Sequence, residues 1–228
     1  MRFALILLSL WPLLSLAQSQ PVGFYTDGTL ENGQCLPPEG VGYTVFELSR
    51  NVGRIWGTNP LVQTIVCGAS EMNTHYPNRD RLQVEDMSAR HGGDISTHAS
   101  HENGLDVDIQ YFKADGQEHR PTAAQRYAPP MVASGRVIAN FDVERNWQLA
   151  KALHRCGNVA VIFMDRAIKN RLCQYARSTG DYAANIQVLR SIRHSDNHQD
   201  HLHMRLKCPP RARRCISQSP PPPGSGCP

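Results

Sequence analysis

A chain of 228 residues with 40% hydrophobic and 19% charged side chains has the size and apolar content for one domain with a full core. Its formal net charge of +4 is too small to mark a nucleic-acid-binding surface, so no nucleic-acid partner is expected, and no internal repeat points to an array. The opening residues place Arg2 before an apolar run from Phe3 to Leu16 and end in Ser15-Leu16-Ala17, the pattern of a secretory signal peptide over 1–17. That run is shorter than the roughly 20 residues a spanning helix needs. No cysteine follows Ala17 to take a lipid, so the mature chain is expected to be soluble and exported.

Residues 18–44 start with a Gly-, Pro- and polar-rich stretch to Gly40, which reads as an extended lead-in outside the core. Asn59-Pro60 supplies a cap and a first-turn proline, and Leu61, Ile65, Val66, Ala69 and Met72 recur at helical spacing, which predicts a helix over 60–74. Leu82 and Val84 alternate with Gln83 and Glu85 in a short strand that runs toward a turn at Arg90-His91-Gly92-Gly93. From Leu105 to Tyr111 the alternation sends Leu105, Val107, Ile109 and Tyr111 one way and Asp106, Asp108 and Gln110 the other.

A polar loop from Lys113 to Pro130 follows, then a helix from Asp142 to Cys156 with Val143, Trp147, Ala150 and Leu153 on one face and Gly157 at its end. Val159–Met164 is continuously apolar, as in a central strand buried on both faces. A helix over 166–177 groups Ile168, Leu172 and Tyr175, with Gly180 just beyond it. In the last strand His201, His203 and Arg205 share one face and Leu202, Met204 and Leu206 the other. The tail from Ser217 to Pro228, with four consecutive prolines, cannot join a sheet and is expected along the surface, pinned through Cys227.

Seven cysteines in an exported chain read as disulfide partners with one left over. Cys208 with Cys215 closes a short loop, and Cys35 with Cys227 is the second expected pair. No C-x-x-C pair suggests a cysteine zinc site.

Five of the ten histidines fall in two windows, His98-Ala99-Ser100-His101 with Gly104-Leu105-Asp106-Val107-Asp108, and His198-Gln199-Asp200-His201-Leu202-His203. Two atoms on one tetrahedral zinc lie within roughly 3.5 Å of each other. A continuous helix would hold residues 101 and 108 about 10 Å apart along its axis, and a continuous strand would put them on opposite faces. Asn103-Gly104 favours a tight reversal that can fold His101 back over the strand bearing Asp108. A third ligand from the His201/His203 strand would leave the fourth position open, as in a catalytic site.

His101-x6-Asp108 with His201-Leu202-His203 resembles the zinc signature of the LAS-type peptidoglycan peptidases. The fuller text, including His198-x2-His201-x-His203-x-Arg205-Leu206 and Cys208-Pro209, resembles the penicillin-insensitive murein endopeptidase family over residues 45–215, followed by the tail at 216–228. That resemblance implies zinc (Zn2+) on His101, Asp108 and His203, His201 beside the attacking water, and His98 and His198 lining the cleft. Asp94 and Thr97 depart from it, standing where smaller or glycine-like residues are expected.

The elements and the resemblance together imply an α+β fold: a small, mainly antiparallel sheet with the site on its open face and helices on its back. The implied function is a periplasmic zinc endopeptidase cutting D-alanyl–diaminopimelate cross-links in peptidoglycan. A D,D-carboxypeptidase or dipeptidase of the same fold and a non-catalytic wall- or metal-binding module stay open as alternatives. Asp106 reads as a supporting carboxylate, His91 and His194 as cleft or solvated residues, and His75, His119 and His154 as surface or packing residues. Arg211 to Arg214 reads as a solvated loop.

Overall fold

The computed structural model describes residues 18–122 and 125–228, so the signal-peptide expectation for 1–17 lies outside the described residues. In chain order the elements are β1 (Gln20–Phe24), β2 (Asp27–Glu31), β3 (Gln34–Cys35), β4 (Glu39–Gly40), β5 (Tyr43–Val45), α1 (Glu47–Asn51), β6 (Trp56–Gly57), α2 (Asn59–His75), β7 (Leu82–Val84), β8 (Asp106–Gln110), β9 (Val132–Ala133), β10 (Arg136–Val137), α3 (Val143–Cys156), β11 (Val159–Met164), α4 (Arg166–Ser178), α5 (Ile186–Ser191), β12 (Ile192–His194) and β13 (His201–Leu206). Seven strands form the main sheet in the order β12-β11-β13-β8-β7-β5-β4. Only the β11/β12 and β5/β7 pairs are parallel, so the sheet is mainly antiparallel, as expected. No described helix is long and apolar enough to cross a membrane.

The two motif strands, β8 and β13, lie side by side at the middle of this sheet. The run Val159–Met164 forms β11, which is second from the edge rather than central, and its Ala160 and Phe163 are partly exposed. Both faces of β8 are buried: Asp106, Asp108 and Gln110 are as shielded as Val107 and Ile109. The carboxylate-bearing face of β8 is therefore largely shielded.

Helix α2 begins one residue earlier than expected. Thr58 is the cap, its Oγ1 accepting from the Leu61 N–H at 3.3 Å, and Asn59 is the first helical residue. Leu61, Val62, Ile65, Ala69 and Met72 form its buried stripe, while Val66 falls off the stripe and is exposed. Asp142 caps α3 and Asp165 caps α4, each carboxylate accepting a first-turn N–H. Trp147, Leu149 and Leu153 of α3 are completely buried, each contributing about 1.5–3 kcal/mol by leaving water.

Residues 18–44 are not an extended lead-in. β1 and β2 pair as a hairpin, β4 and β5 extend the main sheet, and Tyr25, Leu30 and Leu36 are fully buried. The apolar side chains in this stretch are few, and Val41 is exposed, but Tyr25, Leu30, Leu36 and Tyr43 are buried.

Cys208–Cys215 forms as expected. Cys35 does not pair with Cys227: the other bridges are Cys67–Cys156, joining α2 to α3, and Cys173–Cys227, and Cys35 is free. The expected surface tail is thus tied through Cys227 to α4. Lys169 adds a polar anchor there, its Nζ donating to the carbonyls of Ile192 at 2.7 Å and Ser225 at 3.1 Å.

Burial, and then the charge of Arg193, lowers Lys169 from 10.5 to about 8. Its folded-state value lies below its unfolded one, so the unfolded chain binds more protons between those values and stability rises with pH across that window. Urea unfolding at several pH values between about 8 and 10 should show this rise in the native chain and a flatter profile in Lys169→Met. Equal slopes in the two proteins would refute it.

Candidate metal centre

β13 pairs with β8 in the register His203↔Asp108 and Arg205↔Asp106, which sets the four side chains opposite one another on one face. Asp106 is completely buried. Arg205 donates to it twice, from Nε to Oδ1 at 2.7 Å and from Nη2 to Oδ2 at 3.1 Å, and the guanidinium carbon lies 4.0 Å from the centre of the Tyr25 ring. Burial raises the Asp106 carboxyl, but the charges of His203 and Arg205 outweigh it and hold the group below the usual carboxylate range. Asp106 thus fills the supporting role expected of it.

The Asp106 Oδ2 also accepts the backbone N–H of His101 at 3.1 Å. His101 sits at φ +75° and Gly104 at φ +74°, and together they turn the chain back on itself. The reversal is closed by this carboxylate rather than by a hairpin hydrogen bond. Glycine is required at 104, because a Cβ there would lie 2.8 Å from the Leu30 methyl carbons. Thr97, one of the two departures noted in the sequence, is also left-handed, at φ +77°, a conformation that β-branched residues rarely adopt.

Four imidazoles converge on Asp108. Its Oδ2 lies 3.3 Å from both His98 Nε2 and His101 Nε2, and its Oδ1 lies 3.2 Å from His203 Nδ1 and 3.7 Å from His201 Nε2. Burial raises its carboxyl, yet His101 and His201 hold it well below the usual range. Ligand atoms of His98, His101 and Asp108 all lie within 4.8 Å of one another, and the His203 ring centre is 4.6 Å from that of His101. Both His101 nitrogens, Asp108 Oδ1 and His203 Nε2 are buried without a hydrogen-bond partner. A buried polar atom left this way costs about 1–3 kcal/mol, and imidazoles grouped around a carboxylate are a donor set that a divalent metal accepts. The residues present therefore fit a metal ion. Cys67, Glu71 and Cys156 also approach one another, but both sulfurs are consumed in a disulfide.

His203 has a second carboxylate neighbour, with Nε2 lying 3.2 Å from Asp106 Oδ1. His201 is ion-paired through Nδ1 to Asp200 Oδ1 at 2.7 Å. Burial lowers its basicity, but Asp108, Asp200 and Glu85 outweigh this and push it up to about 9. His198 is the opposite case: burial, and then the charge of His201, brings it down to about 4, and its Nδ1 lies 2.6 Å from the Asp196 carbonyl.

The cluster opens into a cleft of about 500 Å3 whose lining includes His98, Asp108 and His201. Sequence reasoning did not single out Arg54, Glu85, Asp86, Arg126 or Tyr127, which also line it. Asp86 receives Arg54 at 2.7 Å and lies 3.6 Å from His98 Nε2, and burial raises Glu85 to about 7. Only the strand alternation around Glu85 hinted at that residue, and no local pattern marks the others.

His91 and His194 are exposed and stand outside the cluster. His75 is exposed, His119 packs beside Phe46 and His154 bonds Ser191. In the basic loop Arg214 pairs with Glu31, and Arg211 and Arg213 face solvent.

A family model described as penicillin-insensitive murein endopeptidase matches residues 21–228. The chain belongs to that family. Penicillin-insensitive murein endopeptidases from Haemophilus influenzae, Klebsiella pneumoniae strain 342 and Yersinia pestis are 33%, 32% and 32% identical to it. The alignments cover 92%, 92% and 91% of this chain and 71%, 74% and 73% of those relatives. Membership in the murein endopeptidase family and the His/Asp cluster together identify the chain as an enzyme, a metal-dependent peptidase. The family match takes in most of residues 18–44 and all of the tail, in accord with the packing of both segments.

Asp106→Ala should destabilise the fold by about 3–5 kcal/mol, because it strands the buried Arg205 guanidinium and frees the His101 backbone. Denaturant unfolding of the metal-free protein tests this, and a loss below about 1 kcal/mol would mean that the pair does not organise the site.

Proposed function

We propose that this chain is an exported, periplasmic zinc endopeptidase that hydrolyses the D-alanyl–diaminopimelate cross-link of murein, with peptidoglycan as its partner. The observation that carries this reading is the convergence of His98, His101, His201 and His203 on the single buried carboxylate of Asp108, in a chain of the murein endopeptidase family.

His101, Asp108 and His203 are the proposed ligands, in line with their near-complete burial. His98 is less buried and has Asp86 as a second partner, which suits a residue at the cleft wall. Bound there, zinc would supply Lewis acidity toward water and toward the scissile carbonyl. Asp106 would orient His203 from behind, as outer carboxylates commonly do for ligating histidines.

His201 is the proposed general base. Its ion pair with Asp200 fixes the ring, leaves Nε2 toward Asp108 and favours taking a proton from the attacking water. Asp108 is the largest of the attractions that raise His201, so a cation held on that carboxylate would lower it. The same imidazole would then deliver the proton to the leaving amine. His98 would hydrogen-bond the oxygen of the tetrahedral intermediate through a ring N–H, whereas His198, neutral and with its Nδ1–H engaged by the Asp196 carbonyl, presents Nε2 as an acceptor and would orient the base. No acylated serine takes part, so insensitivity to penicillin follows.

Mass spectrometry of products from a defined cross-linked muropeptide dimer tests the bond. Monomers arising at the D-Ala–diaminopimelate bridge are expected; loss of a terminal D-Ala alone would indicate a carboxypeptidase instead. His203→Ala should lose both metal and turnover. His201→Ala should retain metal while losing about 10²–10⁴ in kcat, and appreciable turnover in either variant would sink the assignments.

A further inference from the structure

A second cavity, of about 580 Å3, shares no lining residue with the metal cleft. It lies where the end of α3, α5, the start of β11, the exit of β13 and the proline-bearing tail meet. Two permanent cations, Arg190 and Lys207, line it, and no carboxylate does. Arg190 is held in place by Nε and Nη2 bonds to the Pro221 and Pro222 carbonyls, and its Nη1 makes no bond among the described residues. Lys207 is exposed to solvent and has no ion-pair or side-chain hydrogen-bond partner among the described residues, so its charge is free to meet a ligand.

His154 and Ser191 spend their donors within the chain. Ser191 Oγ donates to the Val188 carbonyl at 2.7 Å, so the 2.6 Å contact with His154 is a bond donated by the imidazole Nε2–H. Burial, and then the charge of Lys207, brings His154 down to about 4, so it adds no charge to the cavity at neutral pH. The positive charge of the cavity rests on Lys207 and Arg190 alone. Ala160, Pro220 and Pro221 add apolar wall, and the volume suits a ligand of several residues rather than a bare ion.

We propose that this cavity is a second binding site, separate from the metal cleft, for a carboxylate-bearing peptide. Its occupant would be an uncross-linked stem peptide of murein, held by Lys207 and the free edge of Arg190 against the tail. The choice of a murein stem rests on the function proposed above; the cavity's preference for a peptide carboxylate does not. Gln218 connects the two regions, since it lines the cavity while its Oε1 accepts from Arg205 Nη1 at 2.6 Å, and Arg205 holds Asp106 behind His203.

The test is calorimetric titration of the full chain with a stem tetrapeptide, which contains no cross-link to cut. His203→Ala, which disables the cleft, should still bind it. Lys207→Gln, in that background, should weaken binding by about tenfold or more, and Lys207→Arg should restore most of it. Binding that vanishes with His203→Ala, binding indifferent to Lys207→Gln, or equal binding of acetate at matched concentration would each overturn the proposal. Dimer cleavage by the unmodified chain is scored separately, so failure of the proposed activity and failure of this second site are told apart.

Discussion

Asp106 and Arg205 stand 99 residues apart in the chain, yet they meet as a bidentate ion pair with side-chain exposures of 0% and 7%. Arg–carboxylate pairs of this geometry are directional as well as strong. This one fixes the β8–β13 register, and a slip of one residue would turn Asp108 and His203 to opposite faces. Both Asp106 oxygens have further neighbours, the His101 N–H at Oδ2 and His203 Nε2 near Oδ1. One carboxylate thus positions a loop residue and a strand residue that would otherwise be independent.

Around this pair the molecule concentrates negative charge beneath its imidazoles. Asp106, Asp108, Asp200 and Glu85 lie within interaction range of His201 or His203, and their pull outweighs the cost of burial in both rings. His198, facing no such partner closely, is held low instead. Neighbouring histidines therefore differ in protonation because of which strand ends face them, a division of labour common where proton transfer is required.

The parts legible in the sequence were those governed by local periodicity or by a distance argument. The stripes of α2, α3 and α4, the alternation of β8 and β13, and the need for a reversal at Asn103-Gly104 all follow from spacing. Val66 escaped because one apolar residue beside a stripe reads the same as one on it. The packing of residues 18–44 escaped because Tyr25, Leu30 and Leu36 are too sparse to show a period, although each fills a fixed gap in the core. Cysteine partners and cleft residues such as Arg54 and Asp86 depend on tertiary proximity alone. Cys227 of the tail is bonded to Cys173 of α4 rather than to Cys35, and nothing in the linear text distinguishes those pairings.

The pairing of β8 with β13 also makes the site depend on the last strand of the chain. A chain that has emerged only as far as β12 carries His98, His101 and Asp108 but lacks the strand that shields and completes them. Contacts between such distant segments form late, because the loop between them must first be closed. The cluster around Asp108 is therefore completed only by the last strand, and a truncated product ending before residue 201 lacks His201 and His203.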